Sequence, residues 1–109
     1  VREIVADAFS KCSKLTEIYL PDALEEIGPS AFLGCRKIET ITIPKGVRCL
    51  KLSVFSACQK LTDVFLPAQL VEIESFAFYG CSKYLTIHAP AGSYAEQYAK
   101  ENNISFQAL

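Results

Sequence analysis

The chain has 109 residues, half of them apolar, with 11 basic against 12 acidic side chains and a formal net charge of −1. That length holds one domain, and the near balance of charge leaves no electrostatic footprint for nucleic acid or an anionic membrane, with no basic run to change the reading. The longest uncharged stretch, Tyr84 to Ala95, is too short and too polar to cross a bilayer, and the first residues lack the charged start and apolar run of a signal peptide.

Along the chain, one 23-residue unit occurs four times without insertion, over 1–23, 24–46, 47–69 and 70–92. Phe recurs at 9, 32, 55 and 78, Cys at 12, 35, 58 and 81, and Pro at 21, 44, 67 and 90. A period in this range predicts a stacked array, in which each coil buries its apolar side only against its neighbours and about three coils are the minimum for stability. Val1 already stands at the first phased position, where an array ordinarily carries a cap, so further repeats or a leader are expected upstream.

The second copy shows how one coil is built. Leu24 and Ile27 predict a short extended or turn segment. The stretch Pro29 to Cys35 carries Pro and Ser at its start and Gly near its end, which predicts a single helical turn at a corner, with Phe32 as the largest core filler. Ile38 to Ile43 ends in strict alternation, giving a short strand with Ile41 and Ile43 inward and Thr40 and Thr42 outward. Pro44, which cannot donate a ladder hydrogen bond, closes it. Stacked copies predict a phenylalanine column from Phe9 to Phe78 with rings about 4.8 Å apart.

The unit AFxxCxxLxxIxLP, carried by Ala8, Phe9, Cys12, Leu15, Ile18, Leu20 and Pro21, resembles the BspA-like leucine-rich repeats of bacterial cell-surface proteins over residues 1–92. Val54 replaces the alanine, Tyr84 stands where leucine is expected, and Ala89 is undersized. The resemblance implies an α/β repeat solenoid: a leucine-rich-repeat coil with a short parallel sheet on one face, single helical turns at the corners and a C-terminal helical cap. Residues 93–109 are the expected cap. Ser93 and Glu96 have capping-box spacing, Asn102 and Asn103 suit a helix end, and Ile104 to Phe106 suit a short strand over the last coil.

Few residues suggest chemistry. The four phased cysteines read as buried core, since equivalent positions point the same way and no C-x-x-C pair offers a zinc site. Cys49 falls outside that phase, aligned with Glu3, Glu26 and Glu72. It is the candidate exposed thiol, open to modification or cross-linking, although nothing nearby lowers its pKa. His88 is the lone histidine, and any catalytic device would have to be built on it. Asp63 lies only diagonal to it, which argues against an enzyme, and no metal or other cofactor is expected. Asn103-Ile104-Ser105 matches a glycosylation acceptor, but a helix-ending Asn explains it more simply.

The outward side chains of the expected sheet form two columns, Glu17, Thr40, Asp63, Thr86 and Tyr19, Thr42, Phe65, His88. They are the candidate ligand-binding residues, with Phe65 the sharpest signal, because a large ring is costly at a wet position unless it packs sideways or meets a partner. The resemblance implies an extracellular or cell-surface, non-enzymatic adhesion or interaction module. Its expected partner is a protein or a glycan, with no nucleic acid, no membrane insertion in this segment, and a monomeric chain. A spacer without a ligand is the alternative. Unpaired cysteines fit a strongly oxidising exterior poorly, and an anaerobic or reducing one removes the conflict.

Overall fold

A computed structural model describes residues 2–109, so Val1 lies outside it. The strands are β1 (Glu3–Ile4), β2 (Glu26–Ile27), β3 (Thr40–Thr42), β4 (Cys49–Leu50), β5 (Asp63–Phe65), β6 (Glu72–Ile73), β7 (Thr86–Ala89) and β8 (Ser105–Ala108), with one helix, α1 (Tyr94–Glu101). All strand pairs are parallel, and the repeat pairs are in the 23-residue register, as in Thr40 with Asp63 and Asp63 with Thr86. The main sheet runs β3-β5-β7-β8, while β1-β2 and β4-β6 form two-stranded ladders on the opposite side of the coil. This is a parallel solenoid, as the repeat requires.

The phased apolar positions face inward. Leu24, Ile27, Ala31, Phe32, Cys35, Ile38, Ile41 and Ile43 are all buried, as are all of their equivalents in the third coil. The fourth coil departs by one residue. Tyr84, at the leucine position, is exposed, and Leu85 enters the core in its place. The larger ring is left outside because the next apolar residue can fill the site without moving Thr86 from its register with Asp63.

Each expected helical corner is a run of overlapping tight turns. Ala8, Ser10 and Cys12 donate their N–H groups to the carbonyls of Val5, Asp7 and Phe9, and the same set recurs in every coil. Asp7, Ser30, Ser53 and Phe76, and likewise Lys11, Gly34, Ala57 and Gly80, have φ between 54° and 75°, the left-handed conformation that the third residue of a type II turn requires. The N–H groups of alternate residues thereby face the neighbouring coil. Asp7, Phe9 and Lys11 therefore donate to Pro29, Ala31 and Leu33 of the next coil at 3.1, 2.8 and 2.6 Å, and the next two coils repeat this. A helical turn would direct its N–H groups along its own axis and forgo this third ladder.

The phenylalanine rings stack at 5.4, 5.6 and 5.8 Å with interplanar angles of 5° to 12°. That exceeds ordinary strand spacing of about 4.8 Å, so the rings lie further apart than the backbones, which hydrogen bonds of ordinary length join at the same corner. Beside the rings, the thiols of Cys35, Cys58 and Cys81 donate at 3.1 Å to the carbonyls of Phe9, Phe32 and Phe55 in the preceding coil. The phased cysteine is thus a core residue with a hydrogen bond to make. All five cysteines are free.

The C-terminal segment closes the array at three places. Strand β8 pairs with the edge of β7, with Ile87 opposite Phe106. The Tyr94 hydroxyl accepts the Ile73 N–H at 3.0 Å, and Tyr98 meets Phe78 at 6.3 Å, ending the aromatic column. Ser93 caps α1 by accepting the Glu96 N–H, whereas Glu96 reaches back to the Gly92 N–H at 2.7 Å and not to the N-cap's own. Burial raises the Tyr98 pKa, and the Gly92 hydrogen bond lowers that of Glu96. Asn102 is the C-cap and Asn103 is left-handed at φ 56°, which accounts for both asparagines.

Candidate functional site

The main sheet lacks a strand from the first coil. Residues 17–19, expected to pair with β3, are not in a strand, and β3 is the sheet edge. The first coil is nevertheless held by β1-β2, by the corner hydrogen bonds and by the Phe9–Phe32 stack. Between its detached segment and β3 lies a cavity of about 450 Å³, lined by Thr16 to Leu20, Asp22, Glu39 to Thr42 and Pro44. A second, also about 450 Å³, shares Asp22, Thr42 and Pro44 with it and continues to Phe65, Leu66 and Leu109. The outward face therefore carries one groove at its N-terminal side.

The two predicted columns divide along this groove. Glu17, Tyr19, Thr40 and Thr42 line the first cavity, and Thr42 and Phe65 the second. Tyr19 is the most exposed of the large hydrophobic side chains, at 85%, with its hydroxyl 3.4 Å from Glu17. Asp63, Thr86 and His88 lie beyond, where the strands are fully paired and all three are half-buried.

The diagonal separation of Asp63 and His88 does not keep them apart. His88 Nε2 lies 2.7 Å from Asp63 Oδ1, and the Thr62 hydroxyl donates to Asp63 Oδ2 at 2.9 Å. An ionised carboxylate only accepts, so Nε2 carries the proton in this pair. The His88 hydrogen bond, then that of Thr62, lowers the Asp63 pKa. The diagonal distance on a parallel sheet, about 7 to 8 Å between backbones, is within reach of an imidazole. Phe65 stacks on the same ring at 4.3 Å and 17°. The phenylalanine thus packs sideways, and Tyr19 is left as the free aromatic of the face.

Cys49 pairs in register with Glu72 on the opposite side of the coil, where it is half-buried and not exposed. Its thiol lies 3.8 Å from Glu72 Oε1, and Glu74 completes a cluster of three ligand atoms within 4.8 Å of one another. The Glu74 carboxylate already accepts the Leu52 N–H at 2.9 Å. Burial, then the charges of Glu74 and Glu72, pushes the Cys49 pKa up to about 11, so the thiolate needed for modification is disfavoured. Burial also pushes Cys58 and Cys81 up to about 12.

A family model described as "BspA type Leucine rich repeat region (6 copies)" matches residues 1–107. The chain belongs to the BspA-type leucine-rich repeat family. Among solved members of this fold, it is similar to a leucine-rich repeat protein from Bacteroides ovatus, with a TM-score of 0.82 and 29% identity over 98% of this chain and 28% of that one. It is also similar to a leucine-rich cell-surface protein from Faecalibacterium prausnitzii, with a TM-score of 0.64 and 25% identity over 100% of this chain and 34% of that one. This BspA-type segment thus spans about a third or less of either solved chain. No functionally curated protein matches it. No helix among the described residues is long and apolar enough to cross a membrane.

Proposed function

We propose that the chain is a non-enzymatic recognition module of a bacterial surface or secreted protein, and that it takes a protein or glycan ligand in the outward groove at the N-terminal side of its main sheet. The observation that carries this reading is the open edge of β3 facing the cavity beneath Tyr19. Unpaired strand-edge groups seek partners, and an exposed aromatic beside carboxyl and hydroxyl groups suits either a peptide or a sugar face. Surface location is supported by the description of the Faecalibacterium neighbour.

Asp63 and His88 form an ion-pair geometry, but Thr62 also bonds Asp63 and Phe65 stacks on His88, so the two side chains are spent on each other. Its role is to stiffen the distal half of the face. The test is to pass the wild-type chain and Tyr19→Ala over arrays of uncharged glycans and extracellular-matrix proteins, with circular dichroism as the folding control. Binding that is lost in Tyr19→Ala supports the groove. Binding that survives the change moves the site elsewhere, and a wild-type chain that binds nothing favours the spacer.

A further inference from the structure

One repeat position is basic in every coil. Lys14, Lys37, Lys60 and Lys83 each stand two residues after the phased cysteine, between the corner ladder and the main sheet. The corner ladder keeps the 23-residue register across all four coils, and the main sheet keeps it across the last three, so the four lysines form one row along the solenoid axis, stepping about one strand spacing, roughly 4.8 Å, per coil. All four are exposed. Among the described residues the ion pairs are His88 with Asp63 and Lys100 with Glu96, neither of which involves the row. Lys83 lies 5.2 Å over the Tyr84 ring.

Like charges stacked across neighbouring strands disfavour the fold, and an exposed lysine contributes little to it in return. The adjoining position has diverged to Ser13, Arg36, Gln59 and Ser82, whereas the lysine has not. A groove of about 280 Å³ lies along the middle of the row, lined by Ser13, Arg36, Lys37, Gln59 and Lys60. The carboxylates of Glu3, Glu26, Glu72 and Glu74 gather instead on or next to the two-stranded ladders. The overall balance of charge therefore hides a basic edge, whereas on the ladder side these carboxylates are interspersed with Arg2, Arg48 and Lys51.

We propose that this edge, the lysine row with Lys11 and Arg36 beside it, binds an acidic polysaccharide laid along the solenoid axis. A linear glycan advances per sugar by a length comparable to one coil, which lets successive carboxylate or sulfate groups meet successive lysines. Arg36 offers a planar fork for one such group, and Ser13 and Gln59 offer partners for sugar hydroxyls. Bound nucleotides need aromatic platforms between the charges. Here the residues after the first three lysines, Leu15, Ile38 and Leu61, pack into the core. A bilayer needs apolar side chains to insert beside the basic ones, and the groove residues are polar. This ligand contacts a different surface from the Tyr19 groove and does not depend on it.

The probe is heparin. The wild-type chain should be retained on a heparin column and released by salt, and Lys37→Gln with Lys60→Gln should weaken binding by at least about tenfold at low salt, lowering the salt slope by about one per lysine removed. Arg2→Gln with Arg48→Gln, which removes the same charge from another side of the coil, should bind as wild type, and so should Tyr19→Ala. Several outcomes overturn the proposal: no retention of the wild type, equal loss in both charge variants, or stronger binding to duplex DNA or phosphatidylserine vesicles than to heparin. Loss of heparin binding in Tyr19→Ala alone would transfer the glycan to the groove.

Discussion

The first coil behaves differently on two sides of the same solenoid. At the corner it is joined to the second coil by three backbone hydrogen bonds, a stacked phenylalanine pair and the Cys35 thiol. On the main-sheet side its segment separates from β3 and leaves a groove. The difference shows that the corner ladder with its aromatic column, together with the β1-β2 pairing, holds a coil in the array without the main sheet. The main-sheet side is then free to open into a groove, where cohesion is not needed.

Four measurements break or sharpen that contrast. The largest effect is expected at the corner. Phe55→Ala removes the middle of the aromatic column and should cost about 3 to 5 kcal/mol, read by urea denaturation. Next is the cap. Tyr94→Phe leaves the Ile73 N–H without its partner and should cost about 1 to 3 kcal/mol by the same measurement. An unchanged midpoint would mean that water satisfies that edge as well as the hydroxyl does.

A smaller effect is expected at the distal face. The folded-state pKa of Asp63 is lowered, so its contribution is present above the unfolded carboxylate value and is lost as pH falls through the lowered one. Stability of the wild type and of Asp63→Asn should therefore converge in strong acid and differ at neutral pH. If the difference is the same across that range, the His88 bond does not contribute to stability. The smallest effect is expected from Thr40→Ala at the open sheet edge, within about 0.5 kcal/mol. A loss close to that of Phe55→Ala would mean that the sheet, not the corner, holds the coils together.

The fold was largely legible in the sequence, since a period is a local pattern repeated, and every phased apolar residue from Leu24 to Ile43 is buried as its phase requires. The candidate site was legible only in part. The outward columns could be written down from alternation, but not that Phe65 would lie against His88, or that Asp63 would reach across the diagonal. Those depend on side-chain length and rotamer, which a column diagram does not contain. Pro, Ser and Gly at the corner favour turns of many kinds, so the helical turn they predict is one of several that fit. Their hand is set by the hydrogen bonds offered by the next coil.

By itself the sequence determined the array, its period, the inward face and the phenylalanine column, because burial of apolar side chains repeats with the chain and needs no knowledge of distance. Only the tertiary structure decided where the sheet opens, which thiol finds which carbonyl, and how charges spread over four repeats gather into one row. Residues 23 apart along the chain become neighbours when coils stack, and charge interactions depend on separation in space.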